Sequence, residues 1–108
     1  MEETLWVPAL WWYEISNALV VAQRGHRLTE VDRFSLLDLY GELPLHTDTH
    51  LTSETVGRLQ GLAHEHGLSA YDAAYLELAI RKSASLATLG QKLATAARHV
   101  GITLRNEE

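Results

Sequence analysis

Leu5-Trp6-Val7-Pro8-Ala9-Leu10-Trp11-Trp12-Tyr13-Glu14-Ile15-Ser16-Asn17-Ala18-Leu19 is the stretch on which the reading of the fold turns. Leu5-Trp6-Val7 is short, apolar and β-prone, so it predicts a strand. Pro8 then opens a helical pattern, because proline is best tolerated in the first turn of a helix. Leu10, Trp11, Ile15, Ala18 and Leu19 recur near helical spacing, and Gly25 reads as the stop. A strand running directly into a helix is the first half of a parallel βα crossover.

The rest of the chain repeats that alternation. Thr29, with Asp32 three residues on, resembles a capping box with Asp in place of Glu, and Val31, Phe34, Leu37 and Tyr40 follow on one face up to Gly41. Leu43 to Thr47 is a weak strand candidate, confined by Pro44 to an edge or a strand start. A third helix spans about Leu51 to His66, with Val56, Leu59, Leu62 and Ala63 as its stripe and Gly67 as its cap. Ser69 begins the next helix, with Asp72 in its first turn and Ala73, Leu76, Ala79 and Ile80 as its buried face. Leu86–Leu89 reads as a strand, Gln91–His99 as an alanine-rich helix stopped by Gly101, and Ile102–Leu104 as a last strand. Strands alternating with helices imply a parallel sheet and an α/β layered fold.

Composition narrows the function classes. At 108 residues, with 46% hydrophobic and 21% charged residues, the chain has the make-up of one small globular domain. It has no cysteine, which removes disulfide frameworks, zinc knuckles and thiol nucleophiles. Its apolar runs are far short of the roughly 20 residues that cross a bilayer, and Met-Glu-Glu-Thr is acidic where a secretory signal is basic. These features place the protein in the cytoplasm with no membrane partner. The net charge of −5 disfavours sequence-independent duplex binding. It does not exclude a metal-dependent nuclease, whose clustered carboxylates attract a cation while a local basic rim holds phosphates.

Two acids stand out as candidate chemistry. Glu14 lies in a strongly apolar neighbourhood, near the inward face of its helix, where a carboxylate is costly unless paired or metal-bound. The alternative is a partly exposed Glu at the edge of the stripe. Asp72 matches a first-turn acid favoured by the helix dipole and by the Ser69 cap, which accounts for it without catalysis. His64-Glu65-His66 sets two imidazoles on different faces of a helix. His46 and His50 flank a turn without a third ligand, so scattered surface histidines are the better reading. Arg24, His26, Arg27 and Arg33 cluster at the first helix connection and are able to touch phosphate, although a solvated loop is the plainer account. Arg81-Lys82 suits a helix C-terminus.

Val7 to Leu19 resembles the first acidic-helix motif of bacterial PIN-domain proteins, the VapC-like toxins of toxin–antitoxin pairs. Gly67-Leu68-Ser69-Ala70-Tyr71-Asp72-Ala73-Ala74-Tyr75-Leu76-Glu77-Leu78-Ala79 resembles the second motif more closely. Leu86-Ala87-Thr88-Leu89, followed by Gln91-Lys92-Leu93, resembles the third. The resemblance covers essentially the whole chain, as a single partial PIN-like domain over residues 1–105 with a tail at 106–108. It implies a three-layer α/β/α domain around a parallel sheet, here lacking the family's first strand and helix. It implies metal-dependent cleavage of RNA phosphodiesters, with carboxylates holding Mg²⁺ or Mn²⁺ that activates a water.

Carried over by residue, Glu14 and Asp72 match two of the family's catalytic, metal-binding acids, and the resemblance sets both at the C-terminal end of the sheet. Two other acids are missing: the one on the family's first strand, and the one after Thr88-Leu89, where this chain has Gly90. Glu77 is a poor substitute, lying more than one turn beyond Asp72 and facing away from it. The expectation is therefore a ribonuclease relative, weak or inactive in this form and holding its metal weakly. It is expected to self-associate through the Trp6, Trp11, Trp12 and Tyr13 cluster, with an antitoxin protein as a partner and RNA as the substrate. The alternative is a non-catalytic antitoxin-binding or dimerising module.

Overall fold

The computed structural model describes residues 5–83, 95–96 and 98–101. Among these the fold is mixed helix and strand, in the order β1 (Leu5–Pro8), α1 (Ala9–Arg24), α2 (Glu30–Gly41), β2 (Leu45–Asp48), α3 (Ser53–His66) and α4 (Ala70–Lys82). The chain divides into two compact units, Met1–Thr47 and Asp48–Glu108.

In the first unit β1 pairs with β2 in a two-stranded parallel sheet, and α1 packs on β1 and on α2. Pro8 ends the strand and serves as N-cap of α1, with extended φ and ψ of −71° and 158°. The missing proline N–H is one that a helix N-terminus leaves unpaired in any case. The stop at Gly25 differs from expectation. Gly25 has φ −86°, and the left-handed residue is His26 at φ 59°. The His26 N–H donates to the Gln23 carbonyl and the Arg27 N–H to that of Ala22. This is the Schellman pattern, with His26 in the position where glycine is commonest. Around Thr29 the capping box forms in both directions: Asp32 N–H donates to Thr29 Oγ1 and Thr29 N–H to Asp32 Oδ2. Pro44 stands immediately before the second strand, where Leu45 N–H reaches back to the Leu43 carbonyl at 2.7 Å in a tight γ-like turn.

Neither α1 nor α2 contains a buried residue. Trp11 and Trp12 pack edge to face with ring centroids 4.8 Å apart, Trp11 meets Tyr40, and Trp6 meets His46. Trp12 Nε1 donates to Thr47 Oγ1 at 2.8 Å. The three tryptophans are thus half-buried by partners within their own unit, and Tyr13 is the member of that cluster left open, at 75% exposure. The α2 stripe expected from periodicity is exposed at Val31, Phe34 and Leu37; spacing places residues on one face but does not supply a surface to cover it.

In the second unit α3 packs on α4. Thr52 caps α3 by accepting from Thr55 N–H. Gly67 ends α3 in the left-handed conformation, φ 64°, and Leu68 N–H returns to the Ala63 carbonyl at 2.9 Å. Within α3, Gly57 and Gly61 have open space where a β-carbon would stand. The core gathers Leu68, Leu76, Ala79 and Ala96, with Leu62 and Tyr75 packed against it. Ala73, Leu76 and Ala79 are buried as their spacing predicts, whereas Ile80 is exposed and Val56 of α3 is at the surface. The residues of these two helices buried without being expected are Thr55, Glu77 and Leu78. Thr95, Ala96, Arg98 and His99 are helical and Gly101 has φ 81°, in keeping with the stop expected there. The strands expected at Leu86–Leu89 and Ile102–Leu104, Gly90, most of the Gln91–His99 helix and the tail at 106–108 lie outside the described residues.

Candidate functional site

Glu14 projects from α1 and is exposed. Its expected place near the inward face does not hold. The half-buried residues of α1 include Trp11, Trp12, Ile15, Leu19, Ala22 and Gln23, and at 100° per residue Glu14 lies about 120° from the middle of that stripe. The apolar neighbours that suggested burial are neighbours in sequence only. Of the two readings of Glu14, the structure gives the solvent-accessible carboxylate.

Asp72 occupies the first turn of α4 and is also exposed. Its backbone N–H donates to Ser69 Oγ at 3.1 Å. Ser69 therefore fixes the start of α4 and with it the position from which the Asp72 carboxylate projects.

The histidines are dispersed. His46 lies against Trp6, while His50 and His64 are exposed. The side chain of His66 is nine-tenths buried, with Nε2 lacking a hydrogen-bond partner and the Glu65 carboxylate 4.0 Å away; its ring lies 6.1 Å from that of His99. Among the described residues no group of three or more His, Asp or Glu side chains is assembled around a point that would take a metal ion.

The most tightly organised polar group was not found from the sequence. Arg81 donates from Nη1 and Nη2 to Asp48 at 2.9 and 2.7 Å, and from Nε and Nη2 to the Glu77 carboxylate at 2.9 Å each. Arg58 lies 3.5 Å from the same Glu77 and pairs with Glu54. Glu77 is buried, which its pairing with two guanidiniums makes tolerable. Hydrogen bonding from Arg81 holds the Asp48 carboxyl below its ordinary range, and the bonds to Asp48 and Glu77 raise Arg81 further above its own. Arg81 therefore does more than balance a helix dipole. The i, i+4 spacing of Glu77 and Arg81 is the one local signal for it; Asp48 is 33 residues away. Every positive charge in this group already has a carboxylate, so the group reads as structural. A cleft of about 560 Å³, lined by Arg58, Gly61, Leu62, Glu65, Ile80 and Arg81, opens over Glu77 between α3 and α4.

A second polar surface occupies the α1–α2 connection. Arg24, His26 and Arg27 are exposed. Arg33 is half-buried, donates from Nε to Gln23 Oε1, and holds its guanidinium carbon 4.5 Å from the centre of the Phe34 ring.

The chain matches no known protein-family model and no curated protein. No helix among the described residues is long and apolar enough to cross a membrane.

Proposed function

We propose that this chain is a PIN-like domain of the VapC-like ribonuclease type, with a three-layer α/β/α architecture and with Glu14 and Asp72 as its metal-holding acids. The observation that carries the reading is the setting of the two acid motifs. Each is a helix entered through a defined start, Pro8 for α1 and the Ser69 cap for α4, and each leaves its acid solvent-accessible in the first two turns. The parallel β1–β2 pairing with α1 and α2 between its strands is of the kind that architecture requires.

The donor chemistry suits magnesium or manganese, which take oxygen ligands and are commonly held by one or two carboxylates with retained water. Bound there, the ion would supply an activated water for attack on a phosphodiester. The chain's own part is to present the Glu14 and Asp72 carboxylates as oxygen donors, the start of the helix that carries the latter being fixed by Ser69. Gly90 contributes no side-chain oxygen. Two protein carboxylates give a weak site, so the proposed activity is low or absent in this chain alone.

Isothermal titration with Mn²⁺, run beside a cleavage assay on single-stranded RNA, tests this. Weak binding is expected, lowered by Glu14→Gln and by Asp72→Asn and removed in the double variant. Gly90→Asp alone should restore little cleavage. Mn²⁺ binding that survives both substitutions would overturn the assignment; robust cleavage by the unaltered chain, lost in both, would overturn the low activity.

A second reading, a dimerising or antitoxin-binding module, is favoured by one feature of α1. Tyr13 and Val20 are exposed and, being seven residues apart, share the helix face away from Trp11, Ile15 and Leu19. Under its dimerising form light scattering at micromolar concentration gives a dimer that Tyr13→Ser with Val20→Ser dissociates; a monomer removes that form.

A further inference from the structure

All three arginines of the first unit, Arg24, Arg27 and Arg33, fall within one ten-residue segment, and no acid stands between Glu14 and Glu30. In a chain of net charge −5 this is a local reversal of sign. The fold gathers these residues rather than scattering them. The Schellman turn through left-handed His26 brings the chain back over the end of α1. Arg33, from the first turn of α2, is tied to Gln23 at the end of α1. Arg27 folds its guanidinium against Gly25, close enough that a β-carbon there would stand 2.9 Å from Nη1.

The nearest acids are partly committed. Asp32 turns back to accept from the Thr29 N–H, and Glu30 and Asp32 are both exposed at that turn. Helix-dipole compensation accounts for Arg24, in the last turn of α1, but not for Arg27 or Arg33, which lie beyond it. Beside these cations stands Phe34, 51% exposed, with the Arg33 guanidinium over its ring. A large aromatic ring at the surface next to paired and unpaired guanidiniums is what a nucleobase stacks on and a phosphate docks beside.

We infer that the α1–α2 connection is a contact surface for single-stranded RNA, with Arg24, His26 and Arg27 on the phosphates and Phe34, steadied by Arg33, as the stacking platform for one base. This rests on the ribonuclease-type reading above, and it names a grip on the substrate that is separate from the two acids. An acidic protein segment would use the arginines but not the ring, which is why the exposed Phe34 favours RNA.

The test is fluorescence anisotropy of a short labelled single-stranded RNA with the full chain in EDTA, over a salt series. EDTA removes metal binding and cleavage, so this binding is read apart from the two acids and the two readings fail separately. The double variant Arg24→Ala with Arg27→Ala should weaken binding at least ten-fold and lower the salt slope by about 1.4, the loss of two phosphate contacts at roughly 0.7 each. Phe34→Leu, which keeps an apolar side chain on α2, should weaken binding about five-fold or more without changing the slope. Circular dichroism checks that both variants are folded. Unchanged affinity in the arginine variant overturns the surface. Equal binding of single strand and duplex with no effect of Phe34→Leu overturns the stacking platform. Arginine-dependent binding of polyglutamate but not of RNA overturns RNA in favour of an acidic protein partner.

Discussion

Replacing Arg81 with Met removes the cation that two carboxylates share. Arg81 makes four hydrogen bonds, two to Asp48 and two to Glu77, and the side chains of these acids are only 10% and 5% exposed. Met fills much of the same volume, so the loss is electrostatic more than steric. Removing one partner of a buried pair leaves an uncompensated charge and costs about 3–5 kcal/mol. Glu77 keeps Arg58 at 3.5 Å and Asp48 keeps a backbone hydrogen bond from His50, which sets the expectation at the lower end, about 3 kcal/mol. Against a total of roughly 5–15 kcal/mol for a native domain, this is a large fraction, and at roughly 4 °C per kcal/mol it lowers Tm by about 12 °C.

Urea unfolding followed by circular dichroism at the helix band is the assay, because all three tryptophans lie at residues 6–12, outside the α3–α4 pair. The pH dependence supplies the sign. In the parent chain the folded-state pKa of Asp48 is depressed below 3.8. Its contribution is therefore fully present above that value and is lost as pH falls through the lower folded pKa. In Arg81→Met the Asp48 carboxylate loses the hydrogen bonds that depress its pKa, so the deficit shrinks from pH 7 toward pH 4. Adding Asp48→Asn and Glu77→Gln to Arg81→Met should recover most of the loss at pH 7. A deficit under about 1 kcal/mol, or one that stays constant down to pH 4, would refute this account of the network.

Two further changes test the local design of the helices. Ser69→Ala removes the hydroxyl that accepts the Asp72 N–H and should cost about 1 kcal/mol in urea unfolding, with Ser69→Thr nearly neutral. Gly67→Ala forces a β-carbon into a left-handed residue at φ 64° and should cost about 1 kcal/mol on strain alone, since open space surrounds that position; Gly67→Asn should cost less.

The signals that were legible in the sequence were local and chemical. The Thr29–Asp32 box, the Ser69 cap and the Gly67 stop each depend on a few adjacent residues, and each is found where the spacing puts it; the strand expected from Leu43 to Thr47 forms two residues later at its start, at Leu45–Asp48. What escaped depends on residues distant in the chain. Periodicity placed Val31, Phe34 and Leu37 on one face of α2 and Ile80 on the inner face of α4, but whether a face is covered depends on what packs there. For Glu14 the apolar sequence neighbours leave an inward and an exposed reading open, and the exposed one holds because adjacent residues on a helix point about 100° apart. Glu77 was read only by its distance from Asp72. Its burial required knowing that Asp48 and Arg58 bring charge to the same place. The Schellman turn at His26 was hidden by Gly25, the residue that usually marks one.

Gly57 and Gly61, a helical turn apart in α3 with no neighbour where their side chains would be, have a consequence for the order in which structure appears. Each lowers the intrinsic preference of that segment for helix by about 1 kcal/mol relative to alanine. Helix α4, with Ala70, Ala73, Ala74 and Ala79 along its length, carries no such handicap. The second helix of this pair is thus the better nucleus, and the first becomes a helix on the surface that its successor provides. Amide protons at the middle of α3 should be the earliest to exchange with solvent, opening while α4 stays closed.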